Sequence, residues 1–179
     1  LFATRYGAID NKFKIEGEKE LNCVPDGIAH FVEHKMFECE NGEDAFELFA
    51  KTGASANAYT SNARTAYLFS ATDNFYESLV YLLDFVTHPY FTEQTVQKEQ
   101  GIIGQELRMY DDHPGARLEK GLLQALYKEN KIRIDVGGTV ESIAEINADI
   151  LYKCYYTFYN LNNMVLAVCG DVDVLKVEQ

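Results

Sequence analysis

The chain of 179 residues has no tryptophan and three prolines, and no apolar run in it approaches the roughly 20 residues that cross a bilayer. A spanning helix is thereby excluded. Nor does a basic segment followed by an apolar one occur near the start, so no secretory signal is read and a cytoplasmic location is expected. Basic residues are scarce, with 16 Lys and Arg against 28 Asp and Glu, a formal net charge of −12. Such a surface repels a phosphate backbone, which argues against nucleic acid as a partner, as the lack of a spanning run argues against a membrane, while cationic or neutral partners are easier to accommodate. Cysteine is sparse and scattered: Cys23, Cys39, Cys154 and Cys169 form no C-x-x-C pair. Reduced thiols are expected, with Cys154 and Cys169 packed as small hydrophobes in apolar segments.

What is present is a core. A hydrophobic share of 47% with 13% aromatics argues for one packed domain over 1–179 and against disorder. The chain opens at Leu1, without an initiator Met and directly in strand-like sequence, so a piece of a longer protein is expected. Residues 1–9 alternate as a strand. Asp26 is placed to cap a helix near 27–38, whose apolar contacts come from Ile28, Phe31, Val32 and Phe37. Asn41-Gly42 breaks it, and a second helix near 43–52 turns Phe46, Leu48 and Phe49 inward and ends at Gly53. Runs at 56–60 and 65–70, joined by Ser61–Arg64, read as a hairpin. Asp73 caps a helix to about 87, stopped by His88-Pro89. Helices follow over about 92–110, ended by Pro114-Gly115, then 116–128 and 142–150. An aromatic helix end at 152–159 and an apolar strand at 164–169 close the chain. The expected fold is α+β, a two-layer sandwich in which one mostly antiparallel sheet is covered by helices.

One string carries chemistry: His30-Phe-Val-Glu33-His34. Residues four apart share a helix face, so His30 and His34 can offer imidazoles to one metal ion. Glu33, on the same side, can approach a metal-bound water without ligating. This H-x-x-E-H order is the inverse of the commoner H-E-x-x-H, with the same physics. Zinc so held needs a further protein ligand and an open position. The long helix supplies Glu99 and Glu106, seven apart on one face, and spacing does not rank them. One ligates while the other can bond a ligating imidazole from behind. Asp111, Asp112 and His113 compete, but beside Pro114 they read as loop. The plain alternative makes His30 and His34 partly buried helix residues and Glu33 a solvated charge; two imidazoles facing a core need partners, which weighs against it.

Gly27-Ile-Ala-His30-Phe-Val-Glu33-His34-Lys-Met-Phe37 resembles the active-site helix of the pitrilysin/insulinase family of zinc metallopeptidases. The likeness runs on through Gly53–Ser61, Lys98–Glu106, Gly138–Ile143 and Tyr159–Asp171, in the family's order, and is strongest to a bacterial cytoplasmic branch with Tyr110-Asp111-Asp112 after the third ligand. The resemblance implies that His30, His34 and Glu106 bind Zn2+, that Glu33 is the general base and that Glu99 stands behind a ligand. It implies that Asn57 and Ala58 lie on an edge strand that pairs with an extended peptide. It also implies a homologous second half that closes on the substrate and brings an Arg/Tyr pair, so this chain reads as the N-terminal catalytic half, without the first strand of the usual sheet. Arg64 and Tyr67 match the substrate-side hairpin and do not replace that pair.

The expected function is therefore a zinc endopeptidase domain acting on extended peptides, basic ones by charge, in concert with a C-terminal half, a partner subunit or a second copy of itself. The rival readings are a peptide-binding or assembly half that is active only with its partner, and a structural zinc domain, which would need four protein ligands. His88 reads as a helix end, Tyr152, Tyr155, Tyr156 and Tyr159 as packing, and Gly137-Gly138-Thr139 lacks the lysine and spacing of a phosphate loop.

Overall fold

The computed structural model describes residues 1–40, 42 and 44–178. Asn41 and Glu43, part of the expected helix break and helix start, and Gln179, the end of the expected domain, lie outside the described residues. In chain order the elements are β1 (Phe2–Thr4), β2 (Lys12–Phe13), β3 (Asn22–Cys23), α1 (Ile28–Met36), α2 (Ala45–Thr52), β4 (Ser55–Thr60), β5 (Thr65–Ser70), α3 (Phe75–Thr87), α4 (Glu93–Asp112), α5 (Pro114–Leu126), α6 (Val140–Ala144), α7 (Ala148–Phe158), β6 (Met164–Leu166) and α8 (Val174–Val177). The main sheet has the order β4-β5-β1-β6 with every pairing antiparallel, and β2 and β3 form a separate ribbon. This is the α+β sandwich expected. No described helix is long and apolar enough to cross a membrane.

Helix α1 runs through the core. Ile28, Ala29, Phe31, Val32 and Met36 are all buried, as are Phe2, Tyr6, Tyr67, Phe85, Val86, Ile103 and Leu151 around it. An apolar lining on three sides leaves one stripe of α1, carrying residues 30 and 34, to face a cleft. The helix is not capped by Asp26. Gly27 is its N-cap, with φ 90 and no side-chain bond, and the Asp26 carboxylate is taken by the Asn11 amide instead. A Cβ on Gly27 would collide with the Gly137 carbonyl, so this close crossing needs glycine and leaves no room for a side-chain cap. Asp73 likewise accepts from the Asn74 amide, and α3 starts from Asn74 in the left-handed region with no side-chain cap.

Helix α4 is set by a Thr92–Thr95 capping box and buries Val96, Ile103 and Leu107. It continues through Asp111 and Asp112, so these are helical and not loop. His113 then caps α5 by accepting from the Ala116 amide, and Pro114 opens that helix at its first position, where a missing N–H costs nothing. The single helix expected over 142–150 is two. Thr139 and Ser142 box-cap the short α6, and Asn147 starts α7, which absorbs the aromatic stretch. In α7, Cys154 and Tyr155 are buried, as is Tyr159 at its C-cap, and Tyr156 is 70% exposed.

The terminal strands are shorter than the alternation suggested. Among the described residues β6 pairs with β1, the pairing runs on to the Ala167–Leu1 backbone bond, and Cys169 beyond it is exposed and not packed as expected. Beyond β1, Gly7 donates to the Asp10 carboxylate and the chain turns. Phe46 does not point inward either. It is 42% exposed and stacks on Phe37, with centroids 4.2 Å apart.

Candidate metal centre

The packing of α1 against α4 brings two imidazoles and two carboxylates together. His30 and His34, one turn apart, stand with ring centroids 4.5 Å apart at 67°. The Glu106 carboxylate of α4 faces both, with Oε2 3.4 Å from His34 Nε2 and 3.8 Å from His30 Nε2. One donor atom from each of the three residues lies within 4.8 Å of the others, and they are the only such group of three among the described residues. Donors held about 2.0–2.1 Å from a tetrahedral zinc lie about 3.4 Å from one another, so the donor set and its spacing fit that ion. Glu99, two turns before Glu106 on the same face, meets His34 from the other side, its Oε1 2.9 Å from Nδ1. This contact fixes the imidazole with Nδ1 protonated and Nε2 directed at Glu106.

Glu33 lines the same cleft as His30, His34 and Glu106 and is bonded to the sheet. It is 8% exposed, and its Oε2 accepts from the Thr60 hydroxyl at 2.8 Å. Burial raises its pKa, against the smaller opposing effects of Thr60 and His34. Burial, reinforced by His34, holds His30 down to about 4. Burial would lower His34 as well, but the hydrogen bonds to Glu106 and Glu99 prevail and raise it to about 9. Glu106 is lowered, first by its bond to His34.

The centre lies where two clefts meet. One, of about 540 Å³, extends from His30, Glu33 and Glu106 past Thr60 to Leu123, Ile134 and Gly137. The other, of about 490 Å³, shares Glu33, His34 and Ala58 and runs toward Asn57, Phe37 and Phe46. Strand β4 borders both and is the edge of the sheet. On it, the Ala58 N–H donates to the side chain of its neighbour, Asn57 Oδ1, at 2.9 Å.

The other sequence candidates lie apart from the centre. Asp111 pairs with Lys120 at 3.2 Å, and His88 sits exposed at the end of α3. Tyr67 is fully buried with its hydroxyl 2.7 Å from that of Tyr159, and the Arg64 guanidinium lies over the Tyr59 ring at the hairpin. Sequence reading missed Thr60, because nothing in the spacing of 33 and 60 signals a contact between a helix and a strand 27 residues on.

The fold and its inverted histidine motif define a metallopeptidase half-domain. The family pattern described as Insulinase (Peptidase family M16) matches residues 22–140, and that of the Peptidase M16 inactive domain matches residues 145–179. The chain belongs to this M16 family of zinc peptidases, the pitrilysin/insulinase family, and corresponds to an N-terminal half. It is 58% identical over 173 residues to the zinc protease YmfH of Bacillus subtilis (strain 168), covering 97% of this chain and 40% of that protein. An M16-like peptidase from Alicyclobacillus acidocaldarius superposes with a TM-score of 0.94 at 47% identity, over 99% of this chain and 41% of that one. A protease from Helicobacter pylori, at 21% identity and TM-score 0.83 over 99% of this chain and 42% of that one, shares the fold. The chain thus spans about 40% of the length of these relatives.

Proposed function

We propose that this chain is the catalytic half of a zinc endopeptidase, with His30, His34 and Glu106 as ligands and Glu33 as general base. The observation that carries this reading is the convergence of three donors from α1 and α4 beside a buried carboxylate, in a cleft that follows an open sheet edge. When bound, zinc polarises the scissile carbonyl and acidifies a water. Glu33 takes the proton of the attacking water and returns it to the leaving amine; its raised pKa suits it to both transfers. Glu99 holds His34 in the ligating tautomer. Asn57 and Ala58 offer β4 to an extended peptide, whose main chain pairs with the strand, so the cleavage tolerates varied side chains. Three donors beside a cleft suit a catalytic site, whereas a structural zinc is enclosed by four.

The chain's share of its relatives' length supports a further part of the reading: a homologous second half completes the substrate chamber, and this half alone binds peptide and metal without efficient turnover. The resemblance to a cytoplasmic branch supports reading the activity as cytoplasmic, which cell fractionation tests. For the chemistry, Glu33→Gln in the full-length protein keeps zinc and loses turnover by about 10²–10⁴-fold, the range of a general base. Peptidase rates in that variant equal to the unmutated protein would sink the assignment.

A further inference from the structure

The geometry points to Thr60 as a positioning residue that fixes the carboxylate of Glu33. This inference rests on the reading of Glu33 as general base and adds a residue to which that reading gives no role. A glutamate reaches its site through three torsions, the last of them broad and roughly two-fold, so a buried carboxylate with no bond can turn either oxygen to the reacting water. Glu33 is bonded: Thr60 Oγ1 donates to Oε2 at 2.8 Å, which leaves Oε1 to face the proton.

The hydroxyl has one proton and two acceptors within reach. Thr65 Oγ1 lies 3.3 Å away, and its own proton goes to the Tyr6 carbonyl at 2.9 Å. The carboxylate is nearer and charged, and charge-assisted bonds are shorter and about twice as strong, so the Thr60 proton goes to Glu33. The donor is itself held from behind. Thr60 and Thr65 are opposite each other in the β4–β5 register, Thr65 is fully buried, and its bond to Tyr6 ties the pair to the chain beyond β1. Thr60 is also the last residue of β4, the strand proposed to carry the peptide. One short element therefore sets both the substrate's main chain and the orientation of the base that attacks it through water.

The bland alternative is that Thr60 merely closes the hairpin against Thr65. The two differ in what the hydroxyl does, and Thr60→Val removes it while keeping the branched shape. In the full-length protein, Thr60→Val should lower kcat by about 10–100-fold, part of a general base's contribution, with KM within about twofold and zinc content unchanged. Thr60→Ser should stay within about threefold of the unmutated kcat, because it keeps the donor. Crystal structures of the two variants should show Glu33 turned from its present orientation in Thr60→Val and retained in Thr60→Ser. If Thr60→Val does not fold, Thr60→Ala against Thr60→Ser reads the same hydroxyl. An unmutated kcat in Thr60→Val, an equal loss in Thr60→Ser, or a loss confined to KM overturns the inference. Glu33→Gln is assayed alongside: if it is inactive while Thr60→Val is not, only the role of Thr60 fails, and if it is fully active the general-base reading fails with it.

Discussion

His34 lies between two carboxylates, and this decides how the centre responds to pH. Glu106 and Glu99 raise its pKa to about 9 against burial, so without metal the imidazole is charged at neutral pH. A raised value means that this pairing stabilises the metal-free fold fully below the ordinary 6.5 and that the contribution is lost as pH rises through about 9. Zinc requires the neutral ring, so binding between those limits expels about one proton, while His30, already neutral above about 4, releases none. Calorimetry of zinc binding in buffers of different ionisation heat should report that proton, and apparent affinity should rise about tenfold per pH unit toward 9. A buffer-independent heat would contradict it. Removing the partner behind the ring by Glu99→Ala should weaken zinc by about 10–100-fold, measured by chelator competition, while leaving Glu106 in place. At this scale spacing revealed the residue types without ranking Glu99 and Glu106, and the family resemblance assigned Glu106 to the metal and Glu99 behind a ligand. Glu99 and Glu106 share a face of α4, and the fold adds the atoms: one reaches Nδ1 of His34 and the other the Nε2 atoms of both histidines.

The elements are placed by burial and by the sheet's open edge. Helix α1 holds the histidines steady because its other faces are sunk in the core, with Phe31 fully buried one residue from His30. Phe31→Ala should cost about 3–5 kcal/mol in denaturant unfolding and weaken zinc as a consequence of lost packing, not of lost ligands. A test specific to β4 removes one donor: Ala58→Pro takes away an N–H that donates to the Asn57 side chain, which an edge strand tolerates. It should raise KM for peptides about tenfold or more with little change in melting temperature. An unchanged KM would remove β4 as the pairing edge. Periodicity made α1, α4 and the hairpin legible, because each repeats its pattern over several turns or across a clear turn. It misjudged the α6–α7 break, where Thr139 and Asn147 each cap a separate helix within nine residues, and it assigned Asp26 to a cap that the Gly27–Gly137 crossing leaves to glycine.

On the scale of the whole molecule, the family and the share of its relatives' length go together with the position of the centre, which sits in a cleft bounded on one side by α5 and the 132–137 segment. If the proposed ligands His30, His34 and Glu106 are the whole protein set, residues 1–179 alone should take up zinc with an affinity close to that of the full-length protein yet cleave peptides far more slowly, a comparison that steady-state assays at equal zinc loading decide. The central claim concerns where the metal sits and what holds it. Anomalous diffraction at the zinc edge from crystals of the zinc-loaded protein tests it most directly: the account predicts one peak at bonding distance from His30 Nε2, His34 Nε2 and the Glu106 carboxylate, with Glu99 against His34 Nδ1 and Glu33 unligated. A peak bonded to Glu99 or Glu33 in place of Glu106, or one elsewhere in the molecule, would contradict it.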